Sequence, residues 1–200
     1  MLKRFTQQSH PRLWLLFQSF LGCHRGKHRL AAKYLGNYGN VLEIGCSLGT
    51  VSTLFSSMRD EGAVAYAKKR FSRYPNMEFA SVSLETLAVS GRTFDYVLFA
   101  NILHHASDDD AVAVKLVSVA GILVVMEPDI LGKNEPPLVK MSYRLERGLY
   151  RRSLDALSSL AHEAGISILR SERENLSLDW LPGIVWGRFL LLSGTAKHSN

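Results

Sequence analysis

At 200 residues the chain has the length of one ordinary domain, long enough to bury a single sizeable core and too short for two. Hydrophobic residues at 46% and charged residues at 21% exclude disorder, collagen and coiled coil as whole-chain descriptions. The net charge of +6 is placed unevenly: residues 1–42 carry seven basic residues and no acid, while the other 158 hold 17 basic and 18 acidic residues.

That leading segment holds Lys3, Arg4, Arg12, Arg25, Lys27, Arg29 and Lys33. Its longest apolar run, Leu13 to Phe17, falls far below the ~18 residues of a spanning helix. It reads as helices over Pro11–Leu21 and His28–Leu35 that pack on the domain and show their basic side to solvent. A targeting peptide or a membrane-surface helix is the competing reading. No small-residue cleavage site follows Leu21, which favours packing. Cys23 and Cys46 form neither a disulfide framework nor a metal pattern, so a reducing, cytoplasmic setting is expected.

The first strand spans Asn40 to Ile44 and ends in a glycine-containing turn. Helices are expected over Thr50–Met58 and Gly62–Phe71, and a strand over Met77–Val82. Phe94–Ala100 and Gly121–Met126 are near-continuous apolar runs, the signature of strands buried on both faces. Between them Ser107–Ala120 reads as a helix, capped by Ser107 with Asp108, Asp109 and Asp110 in its first turn. That capping explains the aspartates beside His104 and His105 better than a metal site does. After Pro136-Pro137 come a basic helix to Tyr150 and a helix over Ser153–Ala164, which Gly165 ends. Ile166–Arg170 and Val185–Leu192 are the last strands, and Trp180, Trp186 and Phe189 are expected in the core. The alternation means a Rossmann-like α/β domain: a mostly parallel sheet with helices on both faces. Residues 1–36 form its basic helical lead, 37–194 the α/β domain and 195–200 a tail.

In such sheets ligands bind beyond the carboxyl ends of the strands, at the first strand–helix turn. Here that turn is Glu43-Ile44-Gly45-Cys46-Ser47-Leu48-Gly49-Thr50. A dinucleotide fingerprint needs glycine where Ser47 and Thr50 stand, and a phosphate loop needs a Gly-Lys-Ser/Thr ending that is missing. What remains, acid-x-Gly-x-small-x-Gly, resembles the first motif of the class I S-adenosylmethionine-dependent methyltransferases. Asn101-Ile102-Leu103-His104-His105 after the Phe94–Ala100 strand is similar to that family's Asn-x-Leu-His-His loop. Gly121 to Met126, with its outgoing Glu127-Pro128, resembles the fifth strand. The resemblance covers about residues 28–170.

The resemblance implies S-adenosylmethionine as cofactor and a small molecule as methyl acceptor, with no nucleic-acid partner. It places the cofactor against Glu43, Gly45, Cys46, Ser47, Gly49, Asp60, Ser83, Leu84 and Asn101. His105 and His104 become candidates for removing the acceptor's proton, a task suited to a group that titrates near neutrality. Tyr150 and Arg151 could line an anionic acceptor. The alternative is a catalytically inactive methyltransferase-like binding or scaffold domain, because three positions depart from the family pattern. Ser47 replaces a glycine, Ser83 replaces an adenine-binding acid, and the ribose-binding acid has no strand end to sit on. Only 12 residues, Thr50 to Glu61, remain for a crossover helix, two turns and a second strand. A crossover normally takes ~10–12 residues and a strand adds ~5. The second strand should therefore be missing or cut to two or three residues around Met58, with Asp60 or Glu61 as a partial substitute for the acid.

Overall fold

A computed structural model of the chain describes residues 23–35, 40–45, 55–57, 61–75, 78–80, 89–105, 120–145, 150–178 and 180–196, with positions 13, 16, 19, 20 and 86. Seven strands form one sheet: β1 (Val41–Ile44), β2 (Phe55–Ser57), β3 (Glu78–Ala80), β4 (Phe94–Ala100), β5 (Ala120–Pro128), β6 (Ile166–Leu178) and β7 (Leu181–Ala196). Their spatial order is β3-β2-β1-β4-β5-β7-β6. The first five pair in parallel, with Glu43 opposite Ser56 and Leu98, and Leu98 opposite Val124. β7 runs antiparallel to both β5 and β6.

Among the described residues the helices with defined bounds are α1 (Cys23–Tyr34), α2 (Glu61–Arg70), α3 (Pro137–Leu145) and α4 (Leu154–Glu163), with a 3₁₀ turn at Leu103–His105. Period-two alternation along the strands builds a core on each face of the sheet. On one face Leu98, Ala100, Val124 and Met126 meet Leu30 and Ala31 of α1. On the other, Val97, Phe99, Leu123 and Val125 meet Leu157 and Ala161 of α4. Ser153 caps α4 by accepting the amide of Ala156 at 3.2 Å, and Gly165 leaves the helix with φ +76°.

Several elements differ from the sequence reading. Phe55–Ser57, expected inside a helix, is a strand, because its backbone completes the ladder between β1 and β3. It is three residues long and stops just before Met58, the shortened second strand that the spacing required. Ala120 opens β5 and does not close a helix; the rest of the expected Ser107–Ala120 helix lies outside the described residues. Of the expected Pro11–Leu21 helix, the described positions 13, 16, 19 and 20 are helical. α3 ends at Leu145, and Tyr150 is not helical. Trp186 and Phe189 are core residues, but Trp180 is exposed at the turn between β6 and β7.

β6 and β7 extend well past the predicted spans, to 13 and 16 residues. The polar stretch Arg170 to Asn175 hides the strand because β6 is an edge, and its charges find partners across to α1. Glu172 accepts Lys33 Nζ at 2.7 Å, Tyr34 Oη at 2.6 Å and Arg170 Nη2 at 3.0 Å, and Lys33 also bonds Glu174. The lysine first, then the tyrosine hydroxyl, pull the Glu172 carboxyl from its ordinary 4.5 down to about 2. A carboxyl that is a stronger acid when folded stabilises the fold above the unfolded value, and that stabilisation fades as pH falls from 4.5 toward 2. Glu172→Gln should therefore flatten the stability-against-pH curve between about pH 5 and 2. At neutral pH it should cost less than about 1 kcal/mol, since water screens the network. Urea denaturation across that range measures both.

Candidate active site

The loop after β4 and the carboxyl end of β5 meet at one hub, Glu127. Its Oε1 accepts the amides of Ile102 at 2.7 Å and Leu103 at 2.8 Å. Its Oε2 accepts the amide of His104 at 3.3 Å and meets His104 Nδ1 at 2.6 Å. The buried carboxyl is satisfied by three backbone amides and the His104 ring, and these four hydrogen bonds hold the loop after β4. Sequence reading quoted Glu127 as the end of an apolar strand and did not see this role. The available signal was an acid closing the run Gly121 to Met126, where burial makes any carboxylate demand partners.

The same loop begins with Asn101, whose φ of 56° lies in the left-handed region that asparagine tolerates better than most residues. Its amide donates to Met126 O at 2.8 Å. Its side-chain Oδ1 is buried with no hydrogen-bond partner among the described residues. Across from it is Gly45, the first residue after β1, at φ +75°. A Cβ built on Gly45 would stand 2.7 Å from Ile102 Cγ1, so the β1 turn and the β4 loop touch at that point. Glu43, two residues earlier, is 3% exposed. Residues 43, 45, 101, 104 and 105, picked from the sequence, are thus gathered at neighbouring strand ends. Cys46, Ser47, Gly49, Asp60, Ser83 and Leu84 lie outside the described residues.

The two histidines separate in environment. His104 is 2% exposed and locked to Glu127, whereas His105 is exposed, its ring centroid 4.2 Å from that of His104. A strap at 150–152 closes over the turn: Tyr150 N donates to His104 O at 2.9 Å, and Arg152 Nη1 to Leu103 O at 2.8 Å. Arg151 donates to Tyr143 O at 2.9 Å and lies over the Tyr143 ring at 4.6 Å. Tyr143 in turn donates its hydroxyl to Arg188 O at 3.0 Å, and burial pushes its own ionisation well up. Arg188 Nη1 reaches the buried Glu135 at 2.9 Å, and Arg173 Nε reaches Asp129 at 3.1 Å. Beyond β5 these polar residues are linked to one another, and the 150–152 strap joins them to the 103–105 turn. Of these, sequence reading had singled out only Tyr150 and Arg151. Asp129, Glu135, Tyr143 and Arg188 gave no motif, since their proximity depends on how α3 and β7 fold back.

The donor set suits a cationic ligand. It offers the buried carboxyl of Glu43, which also has a partner within the fold, and a carbonyl oxygen at Asn101 that is buried with no partner among the described residues.

No protein-family model matches the chain, and no curated protein matches it by sequence. Solved structures do. A methyltransferase of Thermotoga maritima, described as S-adenosylmethionine-dependent and a possible histamine N-methyltransferase, superposes with a TM-score of 0.70 at 19% identity, over 94% of this chain and 95% of that one. The magnesium protoporphyrin IX methyltransferase of Synechocystis PCC 6803 with bound SAH gives 0.62 at 16% identity, over 90% and 87%. An S-adenosylmethionine-dependent methyltransferase of Methanosarcina mazei gives 0.62 at 13% identity, over 84% and 97%. At these identities the likeness is one of architecture: the chain has the Rossmann-like fold of the class I S-adenosylmethionine-dependent methyltransferases.

Proposed function

We propose that the chain transfers a methyl group from S-adenosylmethionine to a small-molecule acceptor. The observation that carries this reading is the meeting of Gly45 with the Asn101–His105 loop, where Asn101 Oδ1 lies buried with no partner among the described residues. Glu43, Gly45 and Asn101 hold the amino-acid end of the cofactor, and the motif resemblance adds Cys46, Ser47, Gly49, Asp60, Ser83 and Leu84 to the contact. When bound, the cofactor supplies an electrophilic sulfonium methyl. The chain's own task is then to orient the acceptor in line with that methyl and to remove its proton. His105, exposed at the rim, is placed to take the proton. His104 acts through Glu127 and positions the loop. A chain of 200 residues with two cysteines accords with action in the cytoplasm.

Thermal-shift titration with S-adenosylmethionine and with its demethylated product tests the reading. Ligand at ~100 times its Kd adds about 2.7 kcal/mol to the folded state, which moves the Tm of a domain this size by roughly 5–10 °C. No shift for either ligand at millimolar concentration would assign the chain to the inactive scaffold class instead. His105→Ala should lower turnover by ~10²–10⁴ while cofactor affinity is kept. A loss smaller than tenfold would reduce His105 to a wall of the acceptor pocket.

A further inference from the structure

We propose that Leu13, Leu16 and Phe20 and the turn between β6 and β7 form a docking surface for an anionic lipid membrane, with the apolar side chains entering the interface. Leu13, Leu16 and Phe20 are spaced to share one helical face, and they stand 51%, 68% and 62% exposed. Phe20 is joined to the hairpin turn twice. Trp180 Nε1 donates to Phe20 O at 2.7 Å, and the two rings lie 5.4 Å apart. Trp180 is itself 56% exposed, and Leu181 and Ile184 at the start of β7 are each 42% exposed. Exposed large apolar side chains that pair across two elements, as Phe20 and Trp180 do, mark an interaction site. A tryptophan with its N–H satisfied at such an edge is the side chain that favours the lipid–water boundary.

Charge selects the occupant. The 42 residues that contain the helical half of the patch hold seven cations and no acid. A second copy docked here would bring two such segments together, like charge against like. An anionic bilayer surface offers apolar depth and opposite charge at once, and each lysine or arginine near it is worth about fivefold in affinity.

Flotation of the full chain with vesicles tests this, using phosphatidylcholine alone and phosphatidylcholine with about one third phosphatidylserine. The chain should float with the anionic vesicles at low salt, and far less at about 0.5 M NaCl. The double variant Leu16→Ser/Phe20→Ser should lose at least about tenfold in partition with its Tm unchanged, because both side chains are already in water. Arg12→Glu/Arg25→Glu should lose at least as much. Failure to float with anionic vesicles, or equal flotation of the variants, overturns the proposal. So does sedimentation velocity that shows a dimer dissociated by Leu16→Ser/Phe20→Ser, since the patch would then belong to a second copy.

Discussion

Glu127→Ala should be the most damaging single substitution at the strand ends, lowering stability by about 4 kcal/mol and Tm by roughly 8–16 °C. The cost arises because one truncation strands four donors: the amides of Ile102, Leu103 and His104, and the His104 ring. A buried donor left without a partner costs about 1–3 kcal/mol. The informative variant is Glu127→Gln, which keeps the shape and one carbonyl oxygen. It can accept the Ile102 and Leu103 amides but turns an NH₂ toward His104, where two donors then face each other. We expect a loss nearer 2 kcal/mol, a folded protein, and methyl transfer reduced about 100-fold. Displacing a positioning loop by an ångström is enough for that. A split between kcat and KM separates the effects: a purely structural role would leave the kcat of the folded fraction intact. Wild-type kcat in Glu127→Gln would remove the loop from the reaction.

Gly45→Val should abolish cofactor binding and also cost about 3 kcal/mol of stability. From sequence alone the cost would fall on binding only, since a side chain there would fill the space of the methionine moiety. The structure adds two charges to the fold itself. A β-branched residue at φ +75° is a strained outlier, and its Cβ would press on Ile102 Cγ1 at 2.7 Å. Gly165→Val is the matched control, because Gly165 has φ +76° and open space around its missing Cβ. It should lose about 1–2 kcal/mol through backbone strain and bind S-adenosylmethionine as the wild type does. Calorimetric titration of both variants beside urea denaturation gives the comparison. Equal affinity in folded Gly45→Val would place the cofactor elsewhere.

Much of the architecture was legible because burial writes itself into the chain. Phe94–Ala100 and Gly121–Met126 are apolar on both faces, and only a strand inside a parallel sheet needs that. Ser153 and Gly165 mark the ends of α4 through hydrogen-bonding and φ requirements that few other residues meet. The shortened β2 followed from counting residues alone. Its identity as strand did not, since three residues carry no period and take their conformation from the neighbouring ladders. The long polar half of β6 was equally hidden: Glu172 and Glu174 are partnered by Lys33 and Tyr34, which lie about 140 residues earlier in the chain.

The sequence by itself determined the α/β class and the two loops, Glu43–Gly49 and Asn101–His105, that carry the methyltransferase resemblance. These depend on local period, turn chemistry and spacing, all of which adjacent residues set. Only the tertiary structure decided how the loops work together. Gly45 is a glycine because Ile102 stands against it, and the two histidines differ because Glu127 binds one ring and leaves the other exposed. Those assignments rest on contacts between residues 23 to 57 positions apart, and which side chain meets a buried carboxylate is fixed by the register of the parallel sheet, a property no local stretch of sequence contains.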